Sequence, residues 1–122
     1  MMTRKLVAAG LAGLAWASAG CGNPAQADTD TPIVFIVSPK ADSTVSGQVA
    51  FSAQVFDGFG VAKVVFKVDG VVLLEDLAEP YGVVWATQGA GNGPHALRVE
   101  ATDFAGNVGF RSIGVTVDNS RQ

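Results

Sequence analysis

Three side chains in this 122-residue sequence could meet at one place and do chemistry there: Asp57, Asp103 and Asn107. Asp57 opens the run Asp57-Gly58-Phe59-Gly60, and the other two bracket Asp103-Phe104-Ala105-Gly106-Asn107. Their carboxylate and amide oxygens are the hard donors that Ca²⁺ takes, but the ion asks for about six to eight of them, and two carboxylates make a poor cage. The expectation is that each Asp or Asn closes its own turn through bonds to backbone, with the glycines supplying positive φ. No metal is favoured, and calcium is only a weak candidate. Phe59 and Phe104 fall in the same two runs. Exposed together they would make a sticky loop end for a partner protein or glycan. The commoner behaviour, and the expectation, is that they fold back and plug the end of the core.

His95 is the only histidine. It follows Gly-Asn-Gly-Pro at a strand start, with no acidic or nucleophilic partner at a recognisable spacing, so a structural bond to a neighbouring turn is expected of it. "GAGNGP" at 89–94 superficially suggests a phosphate loop, yet a strand follows it, with no helix N-terminus and no Lys-Ser/Thr. There is no G-x-S-x-G. One Cys with one His cannot make a common zinc site. The reading is therefore a protein without catalytic residues or cofactor.

Cys21 is the only thiol, and it stands where a greasy run ends. Arg4 and Lys5 precede 14 uncharged residues, Leu6 to Ala19. That run is shorter than the roughly 20 apolar residues a membrane-crossing helix needs. A basic head, a short apolar stretch and small residues at its end are the layout of a secretory signal. Ser18-Ala19-Gly20-Cys21 resembles a bacterial lipobox, departing from it at Ser18, where Leu is usual. The resemblance implies cleavage before Cys21, diacylglycerol on its sulfur and an acylated amino terminus, with Gly22 favouring the outer membrane. The alternative is ordinary cleavage at an A-x-A site, after Ala19 or after Ala27; the latter would release a secreted form without cysteine. Without Arg4 and Lys5, six basic residues face eleven acidic ones, a net of about −5. So acidic a chain is a poor partner for nucleic acid, whose affinity comes largely from neutralised phosphates.

The elements that must position these residues begin after a polar stretch, Gly22 to Pro32, which has no large apolar side chain and reads as a tether. The expected organisation is residues 1–20 signal, 21–32 lipidated cysteine and tether, and 33–118 one domain. "QVAFSAQVFD" at 48–57 alternates with Val49, Phe51, Ala53 and Val55 on one face. "VAKVVFKVD" does the same with Val64, Phe66 and Val68, and Asp69-Gly70 then reads as a type I′ hairpin turn, because both central residues need positive φ. "IVFIVS", "VVLLE", "YGVVWAT", "PHALRVEATD" and "FRSIGVTVDN" complete seven short strands divided by turn residues. No helical period appears after residue 33. The pattern predicts an all-β antiparallel sandwich of two sheets, each hiding one face against the other.

"GVAKVVFKVDG", "PYGVVWAT", "GPHALRVEATDFAGNVG" and the closing "VTVDN" resemble the bacterial immunoglobulin-like modules of exported proteins. Ala86 departs from the Asp that often follows the Trp, and the disulfide of antibody domains is absent. The resemblance implies a seven-stranded immunoglobulin-like β-sandwich, with residues 57–60 and 103–107 in loops at the end that carries the N-terminus. It implies no activity. The expectation is a non-catalytic lipoprotein of the cell envelope, anchored to membrane through Cys21 and offering its module for adhesion or for binding an unidentified protein or glycan. The alternative is a spacer or accessory module packing against a secreted enzyme or envelope complex.

Overall fold

The computed structural model describes residues 30–120; Cys21, the stretch expected to be a signal and most of the stretch expected to be a tether lie outside the described residues. Alternation becomes strand wherever it runs. β1 is Ile33–Ser38, β2 Thr44–Val45, β3 Gln48–Phe56, β4 Val61–Val68, β5 Val71–Asp76, β6 Tyr81–Ala86, β7 Gly93–Asp103 and β8 Val108–Val117. A single 3₁₀ turn, Thr87–Gly89, follows β6. The strands form a three-stranded sheet in the order β1-β3-β6 and a five-stranded sheet in the order β2-β8-β7-β4-β5.

Two details depart from the expected seven antiparallel strands. Thr44–Val45 adds an eighth, and it pairs parallel to β8 at Thr116 and Val117. Every other pairing is antiparallel. A two-residue strand has no alternation to betray it.

The inward residues of both sheets meet in one core. Val49, Phe51, Ala53 and Val55 of β3 face Val64, Phe66 and Val68 of β4 and Leu97, Val99 and Ala101 of β7. Phe51 and Phe66 are fully buried and meet edge to face, ring centroids 5.0 Å apart. Such a pair adds about 0.5–1.5 kcal/mol beyond its buried area, in a domain that contains no disulfide. Trp85 closes the core from β6 and is 4% exposed.

Strand directions give the sandwich two distinct ends. Ile33 pairs with Phe56, Val61 with Asp103 and Thr102 with Val108, so the chain enters the domain beside the β3–β4 and β7–β8 loops. Pro32 is seated at this end, its carbonyl on the backbone of Gly109, so that a Cβ at 109 would fall on the carbonyl oxygen. The opposite end carries the β4–β5 turn, the start of β7 and the end of β8.

Candidate functional site

At the end where the chain enters, the acidic side chains are spent on their own loops. Asp57 Oδ1 accepts from the Phe59 N–H at 2.8 Å. Asp103 is 1% exposed; its Oδ1 accepts from the N–H groups of Ala105 and Asn107 at 2.9 and 2.8 Å, and its Oδ2 from Asn107 Nδ2 at 3.1 Å. These are the turn-closing bonds expected of Asp57, Asp103 and Asn107. Among the described residues no cluster of three or more His, Cys, Asp or Glu side chains is gathered where a metal could sit.

Phe59 and Phe104 do not fold back. They are 62% and 74% exposed, because the short loops that carry them are tied to their own carboxylates and cannot swing a ring under the sheets. Phe104 lies across the backbone of Gly60, where an added Cβ would come within 3.2 Å of its ring. Three more rings in this half of the domain are exposed: Phe35, Phe56 and Phe110. Phe35 and Phe56 meet edge to face at 5.9 Å. The Arg98 guanidinium lies 3.7 Å from the Phe110 ring centroid and that of Arg111 5.6 Å from the Phe35 ring.

The far end is built differently. Asp69 and Gly70 take φ of 52° and 83°, as the type I′ turn requires. In that conformation the Asp69 side chain reaches across to β7: Oδ1 accepts from the Ala96 N–H at 2.8 Å, and Oδ2 lies 2.5 Å from His95 Nδ1. His95 Nε2 is 2.8 Å from the carbonyl oxygen of Gly91. Both neighbours of the imidazole are acceptors, so only the doubly protonated ring satisfies both. The bond to Asp69, then that to Gly91, hold the histidine pKa above its ordinary value, and the same bond to His95 holds that of Asp69 down. The ring also packs edge to face on Trp85, centroids 6.0 Å apart. With both nitrogens engaged, His95 braces the turn and the 89–94 loop, the structural role expected of it.

Beside this brace lies an open depression on the outer side of the five-stranded sheet. Its floor is Ala96 and Gly114, cross-strand partners, and its margins include Asp42, Asp69, His95 and Thr116. Asp42, at φ 64°, donates its N–H to the Gly114 carbonyl. Nothing in the sequence signals that these two left-handed aspartates, 27 residues apart, border one hollow. Elsewhere on this outer face, Lys63 pairs with Glu75 at 3.5 Å and Lys67 with Glu100 at 3.1 Å, consistent with a solvated surface.

Comparison with known proteins accords with this architecture. No curated protein sequence matches. Among solved structures, fibronectin(III)-like modules of Clostridium thermocellum CbhA are 27% identical, with a TM-score of 0.64; the match covers 73% of this chain and all of the module. The endo-beta-1,4-mannanase of Thermotoga petrophila is 26% identical with a TM-score of 0.65, over 75% of this chain but only 21% of the enzyme. PorU of Porphyromonas gingivalis shares the fold, with a TM-score of 0.61 at 17% identity over 12% of its length. Residues 32–99, more than half of the sequence, match the family described as bacterial Ig domain, and the chain belongs to that family.

Proposed function

We propose that this chain is a non-catalytic, exported envelope lipoprotein, held to a membrane by acyl chains on Cys21 and offering its immunoglobulin-like module to an extracellular or periplasmic partner. The observation that carries this reading is the polarity of the sandwich. The chain arrives at Ile33 at one end, while the depression bordered by Asp42, Asp69 and His95 lies toward the other. Domains of this family are typically extracellular or surface-exposed. Among the described residues no helix is long and apolar enough to cross a membrane, and two or more acyl chains would supply stable attachment instead.

Intact-mass measurement of the N-terminus from native membranes tests the anchor: acylated Cys21 is expected, and a start at Asp28 would replace this reading with a freely secreted protein. A glycan and surface-protein array probed with the same native protein tests the binding role. A second reading, spacer or accessory to a secreted enzyme, is favoured by the likeness to the fibronectin(III)-like modules and to a 21% share of a mannanase chain. A spacer would retain nothing on the array.

A further inference from the structure

The sequence has seven phenylalanines. Phe51 and Phe66 fill the core, and the other five are exposed. All five lie in the half of the sandwich from which the chain runs back toward Cys21. Phe59 and Phe104 occupy the two loops at its tip. Phe56 faces Ile33 across β3 and β1, and Phe35 and Phe110 stand two residues in from the starts of their strands. Among the described residues the opposite end exposes no large aromatic ring: Trp85 there is buried, and its exposed apolar side chains are the aliphatic Val71 and Val72. Single exposed apolar residues need no explanation, but a cluster on one end of a small domain does.

We propose that this aromatic end beds into the surface of a phospholipid bilayer, a reading that rests on the acylation of Cys21. Three observations favour lipid over another occupant. First, the connection starts from this end: Ile33 can stand at most about 40 Å from Cys21 even with the intervening residues fully extended at ~3.3–3.6 Å each, which keeps this end within reach of a membrane that holds residue 21. Second, the chemistry is graded as a bilayer surface is graded. The tip presents rings, while its carboxylates Asp57 and Asp103 are turned onto backbone N–H groups. Arg98 and Arg111 stand over the rings of Phe110 and Phe35, placing guanidinium beside ring where phosphate meets acyl chain; Arg98 also bonds Glu100 at 2.6 Å. Third, the area is wrong for a stable pair of copies. The sheets of three and five strands average four; at ~4.8 Å per strand and about 10 Å of thickness for each of the two layers, the end covers roughly 400 Å². That is about half of what each partner contributes to a standard interface. A weak surface suffices for a domain already tethered, since the tether makes the second contact intramolecular.

The test uses the full chain, matured in its membrane and reconstituted into phosphatidylethanolamine–phosphatidylglycerol vesicles containing bromine-labelled acyl chains. Phe104→Trp and Phe59→Trp report on the tip; Val71→Trp, exposed in the β4–β5 turn region of the opposite end, is the control, and buried Trp85 contributes equally to all three. Tip reporters are expected to shift to the blue and lose emission to bromine, while the control does neither. Intact mass on the same sample separates the two ways of failing. An unmodified Cys21 overturns the anchored reading and this one with it. An acylated chain whose tip reporters are unquenched overturns this one alone, and if that chain also sediments as a dimer sensitive to Phe104→Ser, the end is a copy-to-copy contact instead.

Discussion

His95 offers the sharpest test of how the far end is held. Its ring nitrogens face the Asp69 carboxylate at 2.5 Å and the Gly91 carbonyl at 2.8 Å, and a neutral imidazole has one N–H for the two of them. Because the folded pKa is raised, the stabilisation is fully present below the unfolded value of about 6.5 and is lost as pH rises through the folded value. Asp69 works in the other direction. Its folded pKa is lowered, so its contribution is present above the ordinary carboxylate range and fades as pH falls through the folded value. Stability therefore has a plateau in mildly acidic solution and steps down on the alkaline side. A hydrogen bond to a charged group is worth about 1.5–3 kcal/mol. The Asp69 side chain is 48% exposed, and solvent screening brings the expected step to about 1 kcal/mol. For a domain of this size that is a fall in Tm of about 4–8 °C between about pH 6 and pH 9. Calorimetry reads the step, and NMR reads its cause without ambiguity, since the sequence contains one histidine. His95→Gln should flatten the profile on the alkaline side, and Asp69→Asn should lower the imidazole midpoint. A midpoint at or below about 6.5 in the unaltered protein would refute the reasoning.

Four further outcomes are expected. Phe66→Ala removes one partner of the central ring pair and should cost about 3–5 kcal/mol in chemical denaturation. Gly109→Ala drives a Cβ onto the Pro32 carbonyl oxygen; amide exchange should quicken at the start of β1 while the β4–β7 ladder stays protected. Asp103→Ala takes the acceptor from the Ala105 and Asn107 N–H groups and should cost about 1–3 kcal/mol. Millimolar Ca²⁺ should leave the Tm of the unaltered chain where it was, a shift upward being the result that would revive Asp57, Asp103 and Asn107 as ligands.

Much of the fold was legible because a strand with one dry face writes its period into the chain. Val49 to Val55, Val64 to Val68 and Leu97 to Ala101 all point where their alternation says they should. The Asp69-Gly70 turn was equally plain, since its residue types answer a backbone requirement. What escaped was non-local or unpatterned. Thr44–Val45 sits among turn residues, and its partner lies 72 positions away. Ile33, Phe35 and Val37 belong to an unbroken apolar run, so nothing marks their side chains as outward and exposed. The rings of Phe59 and Phe104 stay out because of loop bonds that only geometry reveals. The aspartate that engages His95 stands 26 residues away from it, on a turn whose importance otherwise looked purely conformational.

The direction of β1 has a mechanical consequence. β1 runs from the entry end toward the far end, antiparallel to β3, and its ladder hydrogen bonds lie across the strands. If the protein is pulled by its far end against a fixed residue 21, the force runs along β1 and strains those bonds together in shear. It does not peel them apart one at a time. A load that would unzip a strand fastened the other way round is shared here across the whole β1–β3 ladder.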